Sequence, residues 1–432
     1  MRVLAVNQFY PPDHAATGQL LGELCADLAA GGDEVTVVAS SGTYLGGQKL
    51  PGRDLLDGVH VIRPWATSFG KASRRGRLSD YLSFWATALG RAARVARPDV
   101  ILALTTPPMI AAGVVALGVA RRIPVTTWVQ DVYPEVAAAF GVLDERGAPY
   151  RALLRTAAAT HGATCRVVAL SDGMAERLVA QGAPRSRIRV IQNWADGNLI
   201  FPVEHGENPF RQAHLSGDSF LAMYSGNLGV GHDMATLIDA ARLLRERDPR
   251  VQLVFVGEGA RKAEAERRAQ GLGNVRFLPY QRKSDLRFSL AAADVHLVSL
   301  NEGLQGLLVP SKVYGALASG RPICYVGPAS CEVARVVESH GVGLAVRNGD
   351  SEGLASALSR LANDRGLWAA MCLKARSIFL ERFDRPVAVA QFRQVLSEAA
   401  QSQPTRVGSA VRMFRAAFAP KPRTIAEGHV DA

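Results

Sequence analysis

Leu300–Gly327, LNEGLQGLLVPSKVYGALASGRPICYVG, passes from a polar glycine-rich loop into a helix start at Pro310, Ser311 and Lys312, and then into an apolar strand. Ser311 has the side chain of a good N-cap. The unsatisfied N–H groups of the first turn, with the positive end of the helix dipole, form an anion site. Gly320 stops the helix and Pro322 opens the strand ICYVG. Loop, helix and strand in this order make one step of a βαβ chain, and a phosphate-bearing ligand is the natural occupant of the loop.

Outward from that stretch, apolar runs alternate with helical patterns in both halves of the chain, the mark of parallel sheets. In the first half the strands read RVLAVN, VTVVA, VHVIR, VILAL, VTTWVQ, RVVAL and RVIQN; in the second, LAMYSG, VQLVFVG, VRFLPY, VHLVSL and PICYVG. A helix is expected from Gln19 to Ala30, and the apolar run Met109–Ala120 reads as a buried helix, since it falls short of the roughly 20 residues a bilayer span needs. The polar segment Ala195–Ser219, with Pro202 and Pro209, reads as a linker. The expected fold class is therefore α/β, two Rossmann-like domains facing each other across a cleft.

At 432 residues, 48% hydrophobic and 21% charged, the composition is that of an ordinary soluble protein with room for two or three domains. Five scattered cysteines include no C-x-x-C pair, which argues against a disulfide framework or zinc site and favours a reducing cytosol. Met1–Val6 leads directly into a polar loop, unlike a secretory leader. The net charge of +11 is uneven: between Trp65 and Arg97 stand Lys71, Arg74, Arg75, Arg77, Arg91, Arg94 and Arg97 against the single acid Asp80, a patch that wants an anionic partner.

Three loops of the second half fall where open α/β sheets place ligands. SGNLGVGHD (Ser225–Asp233) and VGEGARK (Val256–Lys262) follow successive strands, and the Ser311 helix start is the third. Their glycines let backbone N–H groups approach a phosphate. In the first half G-x-G-x-x-G is absent and no acid follows the second strand, so a dinucleotide is not expected there; small residues near Gly18 leave an open floor for a bulky second substrate. No H-E-x-x-H or H-x-x-x-H pair suggests a metal.

In order along the chain, QFYPPDHAATG (Gln8–Gly18), TTPP (Thr105–Pro108), WVQDVYPE (Trp128–Glu135), SDGMAERL (Ser171–Leu178), VIQNWAD (Val190–Asp196), YSGNLGVGHD (Tyr224–Asp233), VFVGEG (Val254–Gly259), VPSKVYGALASGRP (Val309–Pro322) and GPASCEVARVV (Gly327–Val337) resemble the family-four glycosyltransferases of GT-B fold, and most closely their bacterial capsule and colanic-acid-type members. The resemblance runs to about residue 400. It implies an acceptor domain over 1–200, a nucleotide-sugar domain over 201–385, a helix over 386–402 packing back on the first domain, and a basic tail over 403–432 that is disordered or amphipathic. It further implies metal-free, configuration-retaining transfer of a sugar from a nucleotide-diphosphate donor, with UDP the expected nucleotide and no cofactor.

On the donor side the resemblance puts Gly226, Asn227 and Gly229 beside the diphosphate with Ser311, Gly257 and Gly259 facing it. Lys312 is the first-choice cation, and Lys262 or Arg261 the second. Pro279 and Tyr280 would flank the base. Gln130 and Asp131 stand where relatives carry histidine and aspartate, so Gln130 can hydrogen-bond a sugar but cannot take a proton, leaving Asp131 and Glu135 as the acids near the reacting centre. The usual glutamate pair is replaced by Leu307 and Gly315; Glu302, if its loop folds back, and Glu332 are the candidate substitutes. After the glycine loop only His232 remains where many relatives place arginine and lysine.

Trp65, Phe69, Tyr81, Phe84 and Trp85 interleave with the basic patch, which suits anionic head groups, and Val407, Val411, Phe414 and Phe418 form an apolar stripe in the tail. The expected partners are a nucleotide sugar, a polyprenyl-diphosphate-linked saccharide and the inner face of the cytoplasmic membrane, with the chain cytoplasmic and peripheral. Nucleic acid is not expected, as no binding motif accompanies the charge. A scaffold without turnover and a non-hydrolysing nucleotide-sugar epimerase are the alternatives.

Overall fold

The computed structural model describes residues 1–44, 49–69, 73–214 and 219–404. Lys71 and the tail stripe lie outside the described residues, as does the side chain of Arg74. The first sheet contains β1 (Arg2–Val6), β2 (Glu34–Val38), β3 (Arg53–Leu56), β4 (Val59–Ile62), β5 (Val100–Leu104), β6 (Val125–Trp128), β7 (Arg166–Ala169) and β8 (Ile188–Val190). Their order is β3-β4-β2-β1-β5-β6-β7-β8, parallel except for β3, which pairs antiparallel with β4. The second contains β9 (Phe220–Ser225), β10 (Val251–Val256), β11 (Val275–Leu278), β12 (Val295–Ser299), β13 (Ile323–Val326) and β14 (Gly343–Val346) in the order β11-β10-β9-β12-β13-β14, all parallel.

Helices cover both faces of the strands, which is why β5 and β12 are buried at every position. The expected α/β architecture of two parallel-sheet domains is present. Two strands add to it: β3 and β14, both at sheet edges, are four residues long and only partly buried and give no clear periodic signal. The segment read as linker also holds more structure than expected. Pro209–His214 is a helix whose Phe210 packs with Leu221, Met223 and Val254 of the second domain.

Two crossings join the domains side by side. The Ala195 N–H donates to the Phe383 carbonyl (3.2 Å), the Arg385 N–H to the Ala195 carbonyl (3.0 Å), and the Gly197 N–H to the Asp384 carboxylate (2.9 Å). The last helix, Arg385–Gln401, then returns to the first domain. Arg385 pairs with Asp27 (2.7 Å) and Asp196 (3.0 Å), Arg393 with Asp33 (2.9 Å), and the Phe392 ring sits 4.6 Å from Trp128 and 5.9 Å from Trp194. Phe392 is fully buried, so the helix fills the core of the first domain rather than lying on it.

Candidate active site

The carboxyl ends of β9 and β10 carry the two glycine loops, and backbone hydrogen bonds stitch them together. Gly226 donates to Val256 (2.8 Å), Leu228 to Glu258 (2.9 Å), Arg261 to Leu228 (2.9 Å) and Gly257 to Leu278 (2.9 Å). A Cβ on Gly257 would stand 2.0 Å from the Gly226 carbonyl oxygen, and its φ of +141° suits glycine alone. These glycines thus let one loop press on the other.

Lys312 reaches over Gly226, where a Cβ would come within 2.9 Å of Lys312 Cε. Its Nζ lies 3.2 Å from His232 Nε2, 3.4 Å from the Asn227 carbonyl and 4.7 Å from the centre of the Tyr224 ring. His232 Nδ1 is 2.6 Å from the Ser299 carbonyl, an acceptor only. The proton therefore sits on Nδ1, and Nε2 offers its lone pair to Lys312. Burial first, and the neighbouring ammonium second, push His232 down to about 3, so the ring is neutral. Desolvation pushes Lys312 down to about 7 although part of the side chain remains open to the cleft. A carbonyl, a ring nitrogen and an aromatic face contact this ammonium, and none is an anion. It is a cation held ready for one.

Several expected donor-side residues are committed elsewhere. Lys262 pairs with Glu258 (2.7 Å), and Arg261 with Glu264 (2.5 Å), so neither second-choice cation is uncompensated. Ser311 does not cap the helix Lys312–Ala318: its backbone is already helical (φ −66°, ψ −12°), and its side chain makes no capping hydrogen bond. Glu332 takes a hydrogen bond from Gln192 Nε2 across the cleft (3.1 Å) and pairs with Arg335 (2.5 Å). Glu302 is exposed, on a loop that does turn toward the first domain. Asn227 is exposed, with Gly229 beside it. Pro279 and Tyr280 are exposed at the end of β11; the Tyr280 ring borders Gly257 and its hydroxyl reaches the Glu258 carbonyl (3.3 Å).

On the opposite face, Asp131 follows β6, and burial pushes its carboxyl up to about 6. Tyr44, Tyr81 and Tyr133 feel its charge, and all three also feel the Arg77 guanidinium. In the sequence Arg77 was legible only as a member of the basic patch and Tyr44 not at all, because the one lies on a helix and the other in a loop far from Asp131 along the chain. Gln130 is engaged: its amide pairs reciprocally with that of Asn193 (3.3 and 3.1 Å), both buried, which occupies the groups expected to reach a sugar. Glu135 accepts from Gln181 Nε2 (2.5 Å), and burial raises its carboxyl. Gly18 lies against the Phe9 backbone, 3.0 Å from where its Cβ would be, so a side chain would force the first helix off the loop after β1.

The cleft is closed along one side. The Val132 N–H donates to the Leu307 carbonyl (2.9 Å), a Cβ on Gly306 would meet the Gly173 carbonyl at 2.8 Å, and Lys283 reaches Glu23 (3.5 Å). Leu307 serves this closure through its backbone carbonyl.

Two facing parallel-sheet domains, one with paired glycine loops under a lysine, have the architecture of the GT-B class. Residues 16–194 match the glycosyl transferase 4-like domain, and residues 220–364 match glycosyl transferases group 1. WbjE of Pseudomonas aeruginosa, named as a glycosyltransferase, is 30% identical over 254 residues, 58% of this chain and 62% of the relative. The colanic acid biosynthesis glycosyl transferase WcaI of Escherichia coli K12 is 25% identical over 375 residues, 83% of this chain and 91% of the relative. Among solved structures, Anabaena HepE in complex with UDP and glucose superposes with a TM-score of 0.68 at 18% identity, covering 92% of this chain and all of that one. Sucrose-phosphate synthase of Thermosynechococcus elongatus gives 0.72 at 18%, over 92% and 99%. The chain belongs to the family-four glycosyltransferases.

Proposed function

We propose that the chain transfers a sugar from a UDP-type nucleotide donor to a polyprenyl-diphosphate-linked saccharide, in cell-surface polysaccharide synthesis at the inner face of the cytoplasmic membrane. The uncompensated Lys312 ammonium over the first glycine loop carries this reading, because every group it touches is neutral and a donor diphosphate would bring it an anion. The name of WcaI supports polysaccharide synthesis, and HepE, a structural neighbour, was solved with UDP-glucose. Residues 1–200 hold the acceptor and 201–385 the donor in this proposal.

In the transfer step the bond from the anomeric carbon to the β-phosphate oxygen breaks as an acceptor hydroxyl oxygen bonds to that carbon. The hydroxyl proton passes to the departing diphosphate, and configuration is retained. Lys312 and the N–H groups at Gly226, Asn227 and Gly229 stabilise the charge growing on the leaving group, with no metal required. Gly257 and Gly259 hold the loop shape, Tyr280 and Pro279 flank the base, and Glu302 and Glu332 border the sugar. Asp131 orients the acceptor hydroxyl, with Gly18 and Glu135 supporting that side. A scaffold reading keeps one specific support, the replacement of the glutamate pair by Leu307 and Gly315.

A thermal-shift screen against UDP-, GDP-, dTDP- and ADP-sugars, repeated with Lys312→Ala, tests the proposal. Stabilisation by one nucleotide class that the variant loses supports it. The absence of any shift favours the scaffold.

A further inference from the structure

A cavity of about 40 Å³ lies between the helices Ile110–Arg121 and Ala148–Ala163 and the end of the helix Asp172–Ala180. Thr105 and Asp131, which follow β5 and β6, line it from the cleft side, while Thr160, His161 and Gln181 line it from the helices. Its apolar walls include Ala111, Ala112, Ala157 and Leu178. One water takes about 10–15 Å³ on this scale, so the cavity has room for about three heavy atoms of a ligand.

Hydrogen bonds fix how each polar group is used. Gln181 Nε2 meets the Tyr133 carbonyl (2.9 Å) and the Glu135 carboxylate (2.5 Å). A carbonyl only accepts, so this end of the amide is its NH₂ group, with both protons engaged. Gln181 Oε1 is then the acceptor in the 3.0 Å contact with His161 Nε2, and Nε2 carries the ring proton. Burial pushes His161 down to about 4, so the ring is neutral and Nδ1 keeps a bare lone pair. That atom has no hydrogen-bond partner among the described residues, although His161 is only 8% exposed. A buried acceptor of this kind calls for a donor. The Thr160 hydroxyl donates to the Thr156 carbonyl (2.7 Å) and likewise has only lone pairs to offer.

The cavity therefore suits a short arm that is apolar along its length and ends in a hydrogen-bond donor. A hydroxymethyl group meets both conditions. A methyl group leaves Nδ1 unpaired, an acetamido group brings a carbonyl oxygen and a methyl at its tip, and a carboxylate sets an anion against lone pairs with no cation among the lining residues. Asp131 bounds the same cavity, so a sugar whose reacting hydroxyl meets Asp131 can send a neighbouring arm past it. We propose that this cavity is a subsite for the hydroxymethyl arm of an acceptor hexose, whose hydroxyl donates to His161 Nδ1, and that it selects hexoses over 6-deoxyhexoses and uronic acids. The inference rests on the acceptor role proposed above for Asp131.

The test is calorimetric titration of the full-length protein with short-chain polyprenyl diphosphates carrying glucose, galactose or mannose, each beside its 6-deoxy and uronic acid forms, with xylose as the control that lacks the arm. At least one hexose should bind about tenfold or more tightly than its 6-deoxy and uronic acid forms. His161→Phe should level the hexose with its 6-deoxy form. Ala112→Leu, which narrows the cavity, should weaken the hexose about tenfold or more and spare xylose. In protein carrying isotope-labelled histidine, the Nδ1 resonance that His161→Phe removes should move with the hexose and stay in place with the 6-deoxy form. Equal wild-type affinity for the two, a preference that survives in His161→Phe, or binding of none of these acceptors would overturn the proposal. Donor-induced thermal shifts should be unchanged in both variants, so the subsite can fail while the donor reading stands, and a wild type without any donor shift marks the failure of that reading instead.

Discussion

Because the Lys312 ammonium is pushed down to about 7 in the empty site, donor affinity should depend on pH. Below pH 7 the site is already charged and affinity is flat. Above it, the lysine must take up a proton as the diphosphate arrives, so affinity falls about tenfold per pH unit until the pKa of the bound state is reached. Between pH 6 and pH 8 the expected loss for a nucleotide sugar, whose diphosphate diester keeps a constant charge over this range, is about tenfold, or roughly 1.4 kcal/mol. His232 contributes nothing to the slope, since it stays neutral with its transition near 3. Titration calorimetry in two buffers of different ionisation enthalpy reads both affinity and proton uptake, which should approach about one proton at pH 8. Lys312→Met should bind weakly at every pH, by about 2–4 kcal/mol, and show no slope. Lys312→Arg should also be flat. The same desolvation sets a stability trend of the opposite sense. The folded state holds this proton less tightly than the unfolded chain, so the penalty is full below pH 7 and fades as pH rises toward the ordinary lysine value. Lys312→Met should therefore raise the melting temperature most at pH 6. A wild-type affinity independent of pH, or a slope that survives in Lys312→Met, would refute the assignment.

The remaining predictions concern the frame of the site. Gly257→Ala forces a Cβ against a backbone oxygen at positive φ and should cost at least about 3 kcal/mol with loss of donor binding, whereas Gly271→Ala, with φ +80° but open space around it, should cost only about 1–2 kcal/mol in denaturant melts. Asp131, raised to about 6, should give wild-type kcat an acid limb that levels off above pH 6, and Asp131→Asn should be slow and lack that limb in a pH profile. Phe392→Ala removes a fully buried ring packed against the stacked Trp128 and Trp194 and should destabilise by about 3–5 kcal/mol. Limited proteolysis should then cut within Arg385–Gln401.

Much of the fold is written in local pattern. β1, β5, β9 and β12 are apolar runs bounded by turn residues, and burial by helices on both faces is what makes them so. β3 escapes such a reading because RDLL is short, half polar and nowhere fully buried, and β14 because GLAV is four residues with only its glycine buried, too little of a run to mark a strand. At the site, Lys312 and His232 were legible as types at particular places, but their cage was not: Tyr224 is indistinguishable in sequence from an ordinary strand residue. The pairing of Gln130 with Asn193 spans 63 positions and leaves no local trace. Lys262 and Arg261 were different. Glu258 four residues before the first and Glu264 three after the second already announced that these cations were engaged. The capping role expected of Ser311 failed because Ser311 is itself already in helical conformation, not in the extended one a cap needs.

The most direct test of the central claim is to supply labelled UDP-sugar and a polyprenyl-diphosphate-linked saccharide, with chelator present, and follow the label into the lipid fraction. The account predicts transfer with retained anomeric configuration, reduced by about 30-fold or more in Lys312→Ala. Label that never enters the lipid while the donor is epimerised, or transfer undiminished in Lys312→Ala, would contradict it.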